Sequence, residues 1–257
     1  MKSINVVKIG GNVVDNPDAL KRFAADFAGL QGPKILIHGG GKEATRVSAA
    51  TGIETKMIDG RRITDDATLE IVTMVYAGLI NKRVVALLQS KGCDALGLSG
   101  ADGAAITAVR RPAKPVDFGN VGDIPADGVN IALLKALLEQ NITPVFCAIT
   151  YDGDGHLLNS NADSVASAVA TAAARIAPTD LTFCFEKAGV LADTNDPDSV
   201  ISKIDSANYE ELRRSGAVSA GMTPKIDNAF AAIARGVRSV AIKSSENLLG
   251  KTGTVIS

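Results

Sequence analysis

Strand-like and helix-like segments alternate along most of this chain, and that alternation constrains the fold more than any other feature of the sequence. Short β-prone apolar runs occupy residues 4–9, 34–38, 95–98, 143–149, 181–185 and 239–242. Helical periodicity predicts helices at residues 18–30, 42–51, 65–91, 129–140, 163–176, 208–215 and 223–235. Strands that alternate with helices form mostly parallel sheets covered on both faces, so the sequence predicts an α/β fold.

The size and charge of the chain restrict its partners. With 257 residues, 46% of them hydrophobic, it is long enough for one large α/β domain or two lobes with a buried core. Its 27 basic and 28 acidic residues give a net charge of -1, without long runs of either sign. This charge pattern predicts a small-molecule partner and neither nucleic acid nor a membrane surface. A helix stop at residues 177–180 suggests a boundary between lobes 1–178 and 179–257.

The cysteines and the N-terminal residues indicate the compartment. Cys93, Cys147 and Cys184 lie far apart in or beside apolar runs, which favours buried free thiols over a metal site or a disulfide. No signal peptide precedes the first strand, and polar residues interrupt the apolar stretches before the roughly 20 residues that a membrane span needs. We therefore expect a cytoplasmic protein.

Two strands end in glycines that can bind anions. Gly10 and Gly11 follow the first strand, and the triplet Gly39-Gly40-Gly41 follows the second. Glycines after a buried strand let several N–H groups converge on a phosphate or carboxylate. Lys8 lies inside the first strand, where burial of a cation is costly unless an anion meets it. The two loops together predict a site for two anions.

Three other segments carry polar residues that local structure does not fully explain. Capping of the following helix accounts for one polar residue of Asn159-Ser160-Asn161-Ala162-Asp163, but not for all four. Lys225 lies in the first turn of a predicted helix, where the helix dipole disfavours a cation. The pair Asp59-Gly60 predicts a β-hairpin, and the irregular residues 105–125 predict further hairpins at the sheet edge that form a lid or a substrate wall.

Some common catalytic motifs are excluded by spacing. Gly250-Lys251-Thr252 lacks the first glycine of a P-loop, because residue 245 is serine. The segment around Ser99 lacks the final glycine of a nucleophile elbow, which argues against a serine hydrolase.

Taken together, these segments resemble the amino-acid kinase family, and most closely its N-acetylglutamate kinase branch, over nearly the whole chain. The segments that carry the resemblance are Lys8-Ile9-Gly10-Gly11, His38-Gly39-Gly40-Gly41, Gly60-Arg61-Arg62-Ile63-Thr64, Asn159-Ser160-Asn161-Ala162-Asp163 and Gly221-Met222-Thr223-Pro224-Lys225. The resemblance implies an open αβα sandwich with an N-terminal lobe for an N-acylated glutamate and a C-terminal lobe for ATP. It also implies that Mg²⁺ arrives with ATP, without a dedicated protein metal cage.

The resemblance further implies a role for each motif residue. Lys8 and Lys225 would stabilise charge on the transferring phosphoryl group, and Asp163 would hold both ammonium groups. The substrate-binding residues would be Gly40, Gly41, Arg62 and Asn159, with Arg62 suited to a forked contact with the α-carboxylate. The nucleotide contacts would be Gly10, Gly11, Glu186, Lys187, Gly189 and Ser219, although Phe185-Glu186-Lys187 departs from the aspartate-containing segment that is usual in this branch.

Other functions remain open at this point. The acceptor could be N-succinylglutamate or a carrier-linked aminoadipate, and Lys56 or Arg61 could bind the extra carboxylate of a succinyl group. A non-catalytic metabolite sensor is a third reading, although Lys8, Asp163 and Lys225 are all present. Only seven residues precede Lys8, whereas arginine-inhibited hexameric members of the branch carry an extra N-terminal helix, so we expect a homodimer that is insensitive to arginine.

Overall fold

The computed structural model describes residues 2–58, 60–193, 195–214, 218 and 222–257. The strands are β1 (Ile4–Ile9), β2 (Lys34–His38), β3 (Met57–Ile58), β4 (Arg61–Arg62), β5 (Ala95–Leu98), β6 (Val109–Arg110), β7 (Gly122–Asp123), β8 (Thr143–Phe146), β9 (Ile149–Tyr151), β10 (Leu157–Asn159), β11 (Thr179–Phe185), β12 (Lys203–Ile204), β13 (Ser239–Ser244) and β14 (Thr254–Ile256). The helices are α1 (Gly11–Asp15), α2 (Pro17–Gly29), α3 (Gly41–Ala50), α4 (Asp66–Thr73), α5 (Asn81–Gln89), α6 (Ile131–Glu139), α7 (Ala162–Ala174), α8 (Ser206–Arg214) and α9 (Thr223–Ala234).

The central sheet has eight strands in the order β12-β14-β13-β11-β1-β2-β8-β5. Neighbouring strands are parallel except for β13 and β14, which pair antiparallel. The predicted α/β fold with a mostly parallel sheet is therefore confirmed. Helix α1 and strands β12 and β14 are not predicted from the sequence, because each is too short to show a periodic pattern.

Side chains of β1 alternate between the two faces of the sheet. Ile4 and Val6 belong to a core cluster that contains Val165 and Val169 of α7. Val7 and Ile9 belong to a second cluster, on the side of Phe23 and Phe27 of α2. Because successive residues of a strand point to opposite faces, Lys8 shares the face of Ile4 and Val6 and is directed towards α7.

The predicted long helix is continuous over Asp66–Gln89, which has 24 residues, but it is not α-helical throughout. A π-helix, Met74–Ile80, joins α4 to α5. Contrary to the expectation from the sequence, this helix is long and apolar enough to cross a membrane. Its apolar residues Val72, Ile80 and Leu88 are instead buried in the core cluster that contains α2, and core helices of soluble proteins meet the same criterion.

The hairpins lie beside the sheet. Strands β3 and β4 form the hairpin that was predicted around residue 60, although residue 59 is outside the described residues. Strands β6 and β7 form a separate two-stranded sheet, so the predicted attachment to the sheet edge is wrong. The loop before β7 pairs instead with segments next to other hairpins: Gly119 forms a β-bridge with Thr64, and Val121 forms one with Asn159. All three cysteines are free and buried, as predicted.

Candidate functional site

Two cavities open at the ends of β1 and β2 and meet at Lys8. The first, which we name the arginine cavity, has a volume of about 260 Å³ and is lined by Arg61, Arg62 and Arg111. The second, which we name the lysine cavity, has a volume of about 640 Å³. The lysines that line this second cavity are Lys8, Lys42, Lys187 and Lys225. Both cavities therefore suit anions, and Lys8 is within reach of both.

Lys8 forms an ion pair with Asp163, whose Oδ1 lies 2.7 Å from the Lys8 ammonium nitrogen. The lysine side chain is only 10% exposed, so little water screens the pair. Asp163 lies in the first turn of α7, where the helix dipole favours a carboxylate. Asn161 caps this helix: its side-chain oxygen accepts hydrogen bonds from the N–H groups of Asp163 and Ser164. The capping residue of the predicted polar segment is thus Asn161, which leaves Asp163 free to pair with Lys8.

Lys225 approaches the same point from α9. Its ammonium nitrogen lies 3.8 Å from the centre of the Phe185 ring, and that of Lys8 lies 5.6 Å from the same ring. Burial lowers the pKa of Lys225, the positive charge of Lys8 lowers it further, and Asp163 raises it. Two cations, one carboxylate and one aromatic ring are therefore electrostatically coupled where the cavities meet.

The glycines allow the backbone to line both cavities. A Cβ atom on Gly40 would lie 2.2 Å from Cδ1 of Ile80 and 3.1 Å from Cδ1 of Tyr76, so the π-helix packs directly on this backbone. Gly40 lines the arginine cavity, whereas Gly11 and Gly41 line both. A side chain at residue 40 would push the loop away from the helix.

Arg62 is buried beneath the arginine cavity, with 7% of its surface exposed. Its guanidinium donates to Gly41 O at 2.9 Å and to the hydroxyl oxygens of Thr45 and Thr55 at 2.8 and 3.0 Å. These bonds tie the β3–β4 hairpin to α3 and leave fewer donors for a ligand than the forked contact expected from the sequence. Asn159 is also buried, and its Nδ2 donates to Thr64 Oγ1 at 3.0 Å.

The structure brings the predicted site residues together at these cavities. Arg62 and Asn159 line the arginine cavity; the residues that line the lysine cavity are Gly10, Asp163, Glu186, Lys187, Gly189 and Lys225. Ser219 lies outside the described residues.

Sequence reasoning does not single out three residues of the site, Lys42, Arg111 and Phe185. Lys42 donates a hydrogen bond to Oδ1 of Asn12 at the mouth of the lysine cavity. Arg111 lies in the irregular stretch predicted to form a substrate wall, and its Nε donates to Asp123 Oδ2 at 2.9 Å. Its position in that stretch was the only available signal. Phe185 ends an apolar strand and is indistinguishable in the sequence from an ordinary core residue.

Comparison with known proteins agrees with this geometry. Residues 3–244 match the amino acid kinase family. Acetylglutamate kinase of Cytophaga hutchinsonii is 52% identical over 250 residues, which cover 97% of this chain and 94% of that protein. Acetylglutamate kinase of Phocaeicola vulgatus is 47% identical over 255 residues, which cover 99% of this chain and 98% of that protein. A crystal structure of a Streptococcus mutans protein, smu.665, superimposes with a TM-score of 0.78 at 28% identity and covers 100% of this chain and 99% of its own. This chain therefore belongs to the amino acid kinase family.

Proposed function

We propose that this protein transfers the γ-phosphoryl group of ATP to the side-chain carboxylate of N-acetyl-L-glutamate, giving N-acetylglutamyl 5-phosphate for arginine biosynthesis. The similarity to proteins named acetylglutamate kinase over almost the whole chain supports this substrate. The observation that carries the proposal is that an arginine-lined and a lysine-lined cavity meet at one buried lysine, Lys8. The acylglutamate would occupy the arginine cavity and ATP the lysine cavity.

The proposed reaction needs no general base. A glutamate-like side chain has a pKa of about 4.3, so its carboxylate is already an anionic nucleophile at neutral pH. One carboxylate oxygen attacks the γ-phosphorus, the bond to the β,γ-bridging oxygen breaks, and ADP leaves with that oxygen. His38 is unsuited to act as a base, because it is fully buried and burial lowers its pKa to about 4.

The chain's own residues would supply positioning and charge. Lys8, paired with Asp163, and Lys225, over Phe185, would stabilise negative charge on the transferring phosphoryl group from two sides. The backbone of Gly10, Gly11, Gly40 and Gly41 would approach the phosphates closely. Arg62 and Asn159 would hold the substrate in the arginine cavity, and Glu186, Lys187, Gly189 and Ser219 would contact the nucleotide.

The donor set fits Mg²⁺ that is held mainly by ATP. The lysine cavity is lined by more lysines than carboxylates, Asp163 and Glu186 being its acidic residues. The described residues contain no cluster of three or more metal-ligating side chains. When bound, Mg²⁺ would neutralise charge on the phosphate oxygens.

The proposal is tested by trapping acyl phosphate with hydroxylamine in the presence of ATP and Mg²⁺. N-acetylglutamate, N-succinylglutamate, glutamate and aspartate are compared in parallel, and ADP release is followed separately. We expect turnover of N-acetylglutamate and none of the free amino acids. If ATP binds but none of the four compounds is phosphorylated, the proposal is wrong. The protein would then be a metabolite sensor, or a kinase for another carboxylate, such as a carrier-linked aminoadipate.

A second candidate substrate is N-succinylglutamate. The arginine cavity is lined by Arg61 and Arg111 in addition to Arg62, and each could meet the extra carboxylate of a succinyl group. Asp123 pairs with Arg111, whereas Arg61 is exposed. A larger kcat/KM for N-succinylglutamate than for N-acetylglutamate would assign the acyl group to succinyl.

Arg62→Lys should raise KM for the acylglutamate by about tenfold or more and change kcat much less, because it removes a contact that the bound substrate and the transition state share. The lysine cannot reproduce the fork that ties Gly41, Thr45 and Thr55 together. Steady-state kinetics with saturating ATP measures both constants. The matched control is Arg46→Lys, an exposed arginine of α3 that pairs with Glu43. An unchanged KM would contradict the substrate role of Arg62.

Asp163→Asn should shift the basic limb of the kcat profile to lower pH. The reaction uses the ammonium form of Lys225, so the rate falls as pH rises through the pKa of that lysine. Burial already lowers this pKa, and the Asp163 carboxylate opposes the decrease. Without that carboxylate the pKa falls further, and the ammonium is lost at lower pH.

The measurement for Asp163→Asn is kcat against pH, with ATP and acylglutamate saturating at every point. Asp127→Asn, at an exposed residue outside both cavities, is the control. A basic limb that stays in place or moves to higher pH would show that Asp163 does not control the ammonium of Lys225.

We also propose an assignment of lobes, a compartment and an oligomeric state. Residues 1–178 would form the substrate lobe and residues 179–257 the ATP lobe, since β11 and α9 contribute Phe185 and Lys225 to the lysine cavity. Free cysteines support a cytoplasmic location. The exposed side chains of Met74 and Leu79 on the long helix support a homodimer, which light scattering would test.

A further inference from the structure

His38 lines neither cavity, yet it is fully buried directly before the glycine loop. It is the last residue of β2, and strand alternation places it on the face of Leu36, towards α5. Its Nδ1 lies 2.9 Å from the carbonyl oxygen of Gly39, and its Nε2 lies 3.0 Å from Nδ2 of Asn81, the first residue of α5. A buried imidazole with a partner at each nitrogen is fixed in orientation.

The surroundings of Asn81 determine which nitrogen of His38 carries the proton. The ammonium of Lys82 donates to Asn81 Oδ1 at 3.1 Å, and Asn81 Nδ2 donates to the carbonyl oxygen of Val145 at 2.9 Å. If the Asn81 amide were rotated by half a turn, its NH₂ group would face the Lys82 ammonium and its oxygen would face the Val145 carbonyl oxygen. Neither pair could form a hydrogen bond. Asn81 Nδ2 is therefore the donor to His38 Nε2, so the proton of a neutral His38 lies on Nδ1. His38 then donates from Nδ1 to Gly39 O.

This hydrogen bond fixes the peptide between Gly39 and Gly40. In a trans peptide the C=O and the following N–H point in opposite directions, and this bond is trans. The Gly39 carbonyl points to the buried imidazole, so the N–H of Gly40 points to the other side. Gly39, Gly40 and Gly41 line the arginine cavity, and Gly41 also lines the lysine cavity. No group in the described part of the chain accepts a hydrogen bond from the Gly40 N–H.

We propose that His38 and Asn81 are positioning residues for phosphoryl transfer, because they hold the Gly39 carbonyl inwards and direct the Gly40 N–H into the arginine cavity, next to Gly41, which lines both cavities. The N–H then donates to an oxygen of the transferring phosphoryl group. The inference rests on the proposed kinase function, but the tautomer of His38 follows from the structure alone. The π-helix contributes as well: it ends at Ile80, which packs against Gly40, and so sets the position of Asn81.

Two substitutions of His38 separate positioning from simple support of the fold. In His38→Asn, the amide nitrogen can occupy the place of Nδ1 and still donate to Gly39 O. In His38→Gln, the amide lies near the place of Nε2 and loses that bond. We expect His38→Gln to lower kcat by about tenfold or more, since loss of one such donor costs up to about 10²- to 10³-fold. KM for both substrates should change by less than about threefold, and His38→Asn should recover most of the kcat.

The histidine tautomer is measured directly by ¹H–¹⁵N NMR of the imidazole nitrogens. The chain has 2 histidines, and the exposed His156 is removed in a His156→Asn control that leaves the resonances of His38. We expect a proton on Nδ1, none on Nε2, and a ring that stays neutral at about pH 6, because burial lowers the pKa of His38 to about 4. This measurement uses folded protein with His38 in place, so it can overturn the proposal even if the His38 variants do not fold.

The outcomes separate the two proposals. Turnover by the wild-type protein tests the kinase function, and its absence leaves the tautomer measurement valid. A proton on Nε2 would overturn the positioning role. Equal kcat for His38→Asn and His38→Gln, or a raised KM with unchanged kcat, would also overturn it. A selective loss of kcat in His38→Gln with the Nδ1 tautomer in the wild type would support it.

Discussion

Alanine in place of Lys8 should lower kcat by about 10²- to 10³-fold, the cost of removing one group that stabilises charge formed in the transition state. The loss includes a second effect, because Asp163 loses its partner at 2.7 Å and faces the phosphates as an unpaired anion. The double variant Lys8→Ala/Asp163→Asn should therefore be less impaired than the sum of the two single losses predicts. Single-turnover kinetics with saturating ATP measures the chemical step.

The control for Lys8→Ala is the same substitution at Lys91, an exposed residue outside both cavities. Circular dichroism and nucleotide binding establish that each variant is folded. A kcat within about threefold of the wild type for Lys8→Ala would remove Lys8 from the mechanism.

Lys225→Ala should also lower kcat, by about 10²-fold or more, and raise KM for ATP, because this cation lies inside the lysine cavity. Its contact with Phe185 allows a graded comparison. Phe185→Leu keeps an apolar side chain but removes the ring face that lies 3.8 Å from the ammonium nitrogen. Since a cation–π contact contributes about 0.5–2 kcal/mol, Phe185→Leu should cost clearly less than Lys225→Ala. If Phe185→Leu and Lys225→Ala lowered kcat equally, the Phe185 ring would have a role that does not depend on its contact with Lys225.

The fold was largely predictable, because long elements carry clear patterns. Helix α7 begins at Ala162, one residue before its predicted start, and strands β1, β2 and β5 match their predicted limits. The π-helix was not predictable, because the apolar spacing of residues 65–91 fits an ordinary α-helix equally well. The short strands β12 and β14 depend on pairing with distant segments and not on local sequence.

The candidate site was predictable where a residue type was unusual for its position. Lys8 inside an apolar strand and Lys225 at a helix N-terminus both stand out in the sequence, and both lie at the lysine cavity. Asn81 does not stand out, because a polar residue on a long helix is ordinary. Its contact with His38 joins residues 43 positions apart in the chain and exists only once α5 packs against the sheet. Contacts of this kind depend on tertiary packing, which no local pattern encodes.

Strand β1 lies between two neighbours, β2 and β11, that are synthesised at different times. β1 precedes every other strand of the sheet in the chain, and β2 follows soon after to pair with one of its edges. The other edge of β1 pairs with β11, which begins only at Thr179, so this edge stays unpaired while residues 10–178 are being made. An unpaired apolar edge is a template for association with other chains. That edge of β1 would thus stay open to association with other chains until β11 emerges and pairs with it beside Lys8.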